Sequence, residues 1–416
     1  MTSRETPNAS GYPDFLLVLR AFAGMTVVAI HVYGSMIATP AQNESLWTLG
    51  PVSLTWLLSG AGQFGVFVFF TLSGYLMGKG FAKRRYALDA AGALRFYWSR
   101  ILRIYPVLIF YMIVMITLGR MNAPTGTATF AILGQMLLMQ WHPAFGDSFP
   151  WFKHLWSIMT EFQFYLTVPF FAFAFARLVR GRRAALLTLG ALALAGFVAR
   201  ASVWHAIAPA TAPWPLVGAQ WDSRIQQPLV MNLDLFLGGM LLNALVVPKA
   251  TSLVRGRVYG FFGLLLAAYV PAAWVTHYAL FTPLGFARDL WALALPTASL
   301  AFAAWAIVAA EHLNAGVLPA GERPHALGLV RACAHLGTLT YGIYVWHLPF
   351  IALPIPFSRP FPPLPNLVVT MLLTYGLATL MAQVTHDGVE VPFARLKRLP
   401  TLFVRGRRGY ERVSSA

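Results

Sequence analysis

The sequence is poor in cysteine, in acidic residues and in charge of any kind. One cysteine, Cys333, stands among 416 residues. A single thiol excludes an internal disulfide and a multi-cysteine metal site. Charged residues make up 11% of the chain and hydrophobic ones 58%. That is too little charge to clothe a water-soluble domain of this length. Acidic residues number 14 against 31 basic ones, a formal net charge of +17. Several catalytic signatures are also missing. There is no HExxH pair, no His/Cys cluster, no Walker loop, no Rossmann fingerprint and no GxSxG elbow. An enzyme built on this chain must draw its activated group from a diffusible donor. It needs no permanently bound cofactor and no metal.

Long apolar runs fill the chain instead, and the mean hydropathy is +0.62. About twenty apolar residues in helical form cross a bilayer. Ten windows meet that length: 15–36, 60–80, 97–118, 153–176, 184–204, 229–247, 258–276, 289–310, 333–353 and 366–385. The prediction is an all-α polytopic transmembrane helix bundle of about ten spans, one domain over residues 1–416, with 386–416 as a basic cytoplasmic tail. The shorter apolar piece Ala128 to Trp141 is expected to be a re-entrant or interfacial helix on the outer side. No cleavable signal is expected, because Arg4 and Glu5 precede an apolar run too long for an h-region.

Charge orients the spans. Ten spans divide the connections into two alternating sets. One set holds only Arg120, Lys153, Arg200, Arg224, Arg288 and Arg359, and nearly all the other basic residues fall in the other. The positive-inside rule puts the basic set and both termini in the cytoplasm. The excess charge is therefore read as a topological signal, not as a nucleic-acid surface.

Polar residues inside apolar spans are costly and mark sites or pathways. The first span, FLLVLRAFAGMTVVAIHVYGSM, contains Arg20 and His31. Eleven residues separate them, so a helix places them on one stripe about 16 Å apart. Arg100 and Arg103 share a face at the inner mouth of the third span. Two readings stand for them: side chains snorkelling to the interface, or a guanidinium clamp for phosphate. Glu161 lies in the fourth span with no basic residue within a turn. It requires a partner on another helix, either a structural one such as Arg200 or His31 at similar depth. Asp234 is a second intramembrane acid, equally open between structure and site. Tyr341, Tyr344 and His347 recur every third residue in the ninth span. Ser73, Trp156, Tyr344 and His347 are possible site-lining residues. Packing explains Ser73 equally well, and an aromatic belt explains the Trp and Tyr.

Five runs, in order over most of the chain, resemble the family 3 membrane-bound acyltransferases. They are Arg20–x10–His31, GVFVFFTLSGYL at 65–76, FYWSRILRIYP at 96–106, LWSIMTEFQFYL at 155–166 and LGTLTYGIYVWHLP at 336–349. The resemblance implies O-acyl transfer, often of acetyl, from cytoplasmic acyl-CoA. The acceptor it implies is a hydroxyl of a saccharide or lipid-linked glycan at the outer side of a bacterial inner membrane. Acyl-CoA is then a co-substrate, and acceptor and membrane lipid are the other partners. His31 and Glu161 take the catalytic positions, with Glu161 orienting His31. Arg20, Arg100 and Arg103 take the donor-binding ones. One departure is visible: the family pattern has two acids before Gln-Phe-Tyr, and here the second is Phe162. The esterase-like domain fused in some relatives is not expected. The alternative function is a transporter or flippase for a glycan or lipid-linked substrate. Against it, the sequence has no inverted repeat and no paired broken helices.

Overall fold

A computed structural model describes residues 14–36, 46–118, 154–207, 221–248, 255–281, 285–316, 326–352 and 363–398. The expected helix at 128–141 and the end of the basic tail lie outside them. Ten long helices follow the ten apolar windows. They are α1 Phe15–Met36, α2 Gly62–Ala82, α3 Ala90–Thr117, α4 Trp156–Leu178 and α5 Gly181–Ile207. Then come α6 Leu229–Leu245, α7 Arg255–Leu280, α8 Gly285–Asn314, α9 Ala326–Ala352 and α10 Pro363–Thr385. Eight of these regions are long and apolar enough to cross a membrane. The chain is an integral, multi-pass, all-α membrane protein. Helix α6 has 17 residues, or about 26 Å of rise, slightly under a hydrocarbon core of about 30 Å.

Local chemistry sets the helix ends. Asp89 caps α3, its carboxylate accepting from the Gly92 N–H at 2.6 Å. Gly181, at φ +83°, allows the sharp passage from α4 into α5. A small antiparallel hairpin, β1 Thr48–Leu49 and β2 Val52–Ser53, precedes α2.

Close backbone contact draws the centre together, alongside stacked aromatic side chains such as Phe70 on Phe236. A Cβ on Gly74 would meet the Phe236 carbonyl, and one on Gly239 would meet the Thr71 carbonyl. Glycine at both crossings lets α2 and α6 touch backbone to backbone. Helix α1 lies against both α2 and α9, so it carries its polar stripe into the interior. At one end of the bundle, here the basic end, Lys79 pairs with Glu311 and Asn314 bonds Asp14 at 2.6 Å. Between α5 and α6, Arg200 grips Asp234 with two bonds of 2.9 and 2.8 Å, and both side chains are buried. That fork resolves both open readings: Asp234 is a structural partner, and Arg200 is not the partner of Glu161. Breaking such a pair leaves an uncompensated buried charge, at a cost of about 3–5 kcal/mol.

The stretch expected to begin a tail is ordered into helix first. After α10 comes a π turn, His386–Glu390, then a short helix, Val391–Arg395. This segment packs on α3, and Trp98 Nε1 donates to the Leu396 carbonyl at 3.0 Å.

Candidate active site

Two clusters of polar side chains lie inside the bundle. The first is at the end opposite the basic one, here the histidine end. His31 from α1 meets His347 from α9, Nδ1 to Nε2, at 2.8 Å. The rings are stacked, with centroids 4.9 Å apart and planes within 10°. Local sequence explains why α9 offers these groups. Pro349 has no N–H, so it leaves the Val345 carbonyl, one turn earlier, without its helical donor. His154 Nε2 takes that carbonyl at 3.1 Å. His154 in turn sets its ring edge-on to His347, with centroids 5.2 Å apart. Tyr344 donates its hydroxyl to the His154 carbonyl and accepts from Ser157 Oγ at 2.8 Å.

The hydrogen-bond network assigns the ring protons. His347 Nδ1 lies 2.7 Å from the Tyr344 carbonyl. A carbonyl only accepts, so His347 Nδ1 carries a proton. In a neutral ring, Nε2 is then the acceptor, and His31 donates to it through Nδ1–H. The lone pair of neutral His31 is left on Nε2. Beside this pair lies a cavity of about 330 Å³, with His31, Tyr344, Trp156, Trp221, Asp222 and Gln226 in its wall.

The second cluster lies closer to the basic end. Glu161 accepts from Ser73 Oγ and from the Tyr165 hydroxyl, each at 2.5 Å. Arg100 sits over the rings of Phe96 and Tyr165, 5.6 and 5.7 Å from their centroids. Its Nε donates to Ser99 Oγ at 3.2 Å. Next to Arg103 on α3, the Ile104 carbonyl accepts from the Tyr341 hydroxyl at 2.7 Å. Arg20 is half-buried, eleven residues toward the basic end from His31.

These positions correct one expectation. Glu161 does not hold His31. The group on α4 that faces α9 is Ser157, and Glu161 lies one helical turn further toward the basic end, where it turns to α2. The partner of His31 is His347, which the sequence offered only as a lining residue. His154 was missed altogether. It stands two residues before α4, and the carbonyl that anchors it lies 191 positions away. The available signal was Pro349: a helical proline frees a carbonyl, and something polar must fill it.

Among models of known families, the acyltransferase domain of family 3 matches residues 14–383. The chain belongs to the acyltransferase 3 family. No curated protein and no solved structure matches it. The family match runs from α1 through α10 and includes both clusters. The π turn and short helix after residue 385 lie beyond it. In this acyltransferase 3 chain the two clusters join into one polar column. It runs from Arg100 through Tyr165, Glu161 and Ser73, steps along α4 to Ser157, and passes through Tyr344 to the His347–His31 pair. Among the described residues no group of His, Cys, Asp and Glu could hold a metal ion. The column offers a base at one end and guanidinium groups near the other.

Proposed function

We propose that this membrane acyltransferase moves an acyl group, acetyl foremost, from acyl-CoA to a hydroxyl of a saccharide or lipid-linked glycan. The basic end faces the cytoplasm of a bacterial inner membrane and takes the donor. The histidine end takes the acceptor. The observation that carries this reading is the 2.8 Å bond between His31 Nδ1 and His347 Nε2 in the wall of a cavity, from which the free lone pair on His31 Nε2 is inferred. A positioned neutral imidazole is what a hydroxyl needs to become a nucleophile.

The reaction then runs as follows. The acceptor hydroxyl gives its proton to His31 Nε2 as its oxygen attacks the thioester carbonyl. The tetrahedral adduct collapses, the C–S bond breaks, and the leaving CoA sulfur takes the proton from the imidazolium. The positive charge on His31 strengthens its Nδ1–H bond to His347 in the transition state. His347 is a positioning residue: it selects the tautomer and the ring orientation, the task a carboxylate performs in hydrolase triads. Arg100 and Arg103, with Arg20, hold the donor phosphates, for which the planar guanidinium fork is suited. Glu161 acts on the donor side, holding Tyr165 and Ser73 and balancing the charge of Arg100.

Separate measurements of donor binding and transfer test this reading on purified protein in nanodiscs. His31→Ala is expected to bind acyl-CoA like the wild type and to lower the transfer rate about 10³-fold, to a residual rate that remains measurable. Arg100→Ala is expected to raise the Kd for acyl-CoA at least tenfold. Wild-type transfer by His31→Ala would refute the base. Unchanged acyl-CoA binding by Arg100→Ala would return that arginine to an interfacial role.

A further inference from the structure

The reaction proposed above passes through a tetrahedral adduct, and no group assigned so far holds its negative charge. The acyl C=O becomes C–O⁻ as the acceptor oxygen attacks, and in an apolar interior that charge needs donors already aimed at it. His31 supplies the base, and its Nδ1–H is spent on His347. Tyr344, in the same cavity wall, is spent as well, because its hydroxyl donates to the His154 carbonyl. The indole N–H of Trp221 has no acceptor among the described residues, but it is enclosed by protein and does not open to the cavity.

Two amides in the described wall are unspent, and the fold builds a place for each. Gln226 ends a π-helical turn, Asp222–Gln226, at the entry to α6. A second such turn, Leu290–Ala294 within α8, brings Trp291 to the same cavity. Turns of this kind interrupt the regular backbone and are frequent at functional sites. The backbone around Gln226 is pinned. Asn232 Nδ2 donates to the Gln226 and Pro228 carbonyls at 2.8 and 3.0 Å. Thr160 Oγ1 donates to the Gln227 carbonyl at 2.7 Å, which ties the turn to α4 one helical turn from Trp156. The side chain is not pinned. Gln226 is 8% exposed and lies in the cavity wall, and its amide has no hydrogen bond among the described residues. A fixed backbone that carries an unspent donor into a cavity is the arrangement preorganised catalysis requires.

Gln63 enters from α2. The start of α2 is pressed on α1 by two glycines, Gly60 at φ +77° and Gly62. A Cβ on the first would meet the Ile30 backbone, and one on the second the Ile30 side chain. Ile30 precedes His31, so this close approach brings Gln63 to the base. Its amide, too, has no hydrogen bond among the described residues. At about 330 Å³ the cavity lies at the small end of the ligand-site range, so an acyl group reacting at His31 meets its walls.

From this arrangement we infer that Gln226 and Gln63 are catalytic residues, their amide N–H groups donating to the oxyanion of the tetrahedral adduct. The inference rests on the acyl-transfer reading above. Attack at the carbonyl carbon moves the C=O pair onto oxygen, where the two amides hold it. The pair returns as the C–S bond breaks, the C=O reforms, and the imidazolium proton goes to sulfur. Glutamine suits the task because its amide donates without carrying a charge. Asp222, one turn before Gln226, has a partner of its own within the protein and, as a carboxylate, donates nothing.

Acetyl-CoA turnover in nanodiscs tests this with two acceptors, water and glycerol, each rate corrected for that of His31→Ala. Water needs no binding contact from a wall amide, so hydrolysis separates stabilisation of the adduct from binding of the acceptor. Gln226→Met and Gln63→Met keep the length of the side chain and remove the donor. Each is expected to lower hydrolysis and transfer to glycerol by the same factor, about 10²-fold. The KM for acetyl-CoA and the pH profile are expected to stay unchanged, because the donor site and His31 are untouched. The two amides stand on separate elements, so one variant reports where the other fails to fold. Wild-type hydrolysis with transfer to glycerol lost would overturn the inference and make the amides acceptor-binding groups. Wild-type rates for both reactions would overturn it outright, and acyl transfer itself would stand in either case. If the wild type cleaves no more acetyl-CoA than His31→Ala, the transfer reading falls and the inference with it.

Discussion

At the residue scale, the reassignment of Glu161 is the change with most consequence. A carboxylate bonded to His31 would stabilise the imidazolium directly, and its loss would lower kcat. Glu161 instead accepts from Ser73 and Tyr165, and Arg100 lies over the Tyr165 ring. Glu161→Gln is therefore expected to raise the KM for acyl-CoA several-fold and to leave kcat within about threefold of wild type, in steady-state kinetics with the acceptor saturating. A large loss in kcat at unchanged KM would restore the direct role. The sequence made the identities of these residues legible, because a polar side chain in an apolar run stands out. It did not make the pairing legible. Ser157 and Glu161 share one face of α4, and a one-turn difference in depth decides which of them meets α9.

At the scale of the element, α9 shows how one residue type organises a site. Pro349 removes a backbone donor, the freed Val345 carbonyl draws in His154, and His154 packs on His347. Pro349→Ala returns an N–H to that carbonyl and sets it in competition with His154. The expected outcome is unchanged or slightly raised thermal stability with transfer reduced about tenfold, read by unfolding in detergent and by acyl-transfer rate. Loss of stability in proportion to activity would mean that the proline serves only the fold. The ten long helices were legible from apolar length alone, and eight of them are long and apolar enough to cross a membrane. The helical segment over 386–398 was not, because its composition resembles that of a charged connection and its docking on α3 depends on contacts such as Trp98 to Leu396. The π turns at 222–226 and 290–294 were equally hidden: their periodicity differs from that of an α-helix by a single residue.

At the scale of the whole molecule, the proposed transfer takes its donor and its acceptor at opposite ends of one bundle. The two ends differ in charge, and the proposed reading puts the basic one in the cytoplasm by the positive-inside rule. In a Cys333→Ser background, cysteines placed at the exposed positions Arg84 and Ser223 should label from opposite sides of sealed membranes with an impermeant thiol reagent. Labelling of both from one side would contradict the orientation. Acidification should lower the transfer rate as well, because a protonated imidazole accepts no proton. In the proposed reaction, His31 and His347 act as one unit. A double-mutant cycle on kcat measures this most directly, using His31→Ala, His347→Ala and the pair together, with acyl-CoA binding followed in each. His347→Ala is expected to lower kcat about 10²-fold at unchanged donor affinity, His347→Gln to restore part of it through its amide oxygen, and the double variant to be no worse than His31→Ala alone. Independent losses that multiply in the double variant, or transfer at the wild-type rate by His347→Ala, would contradict it.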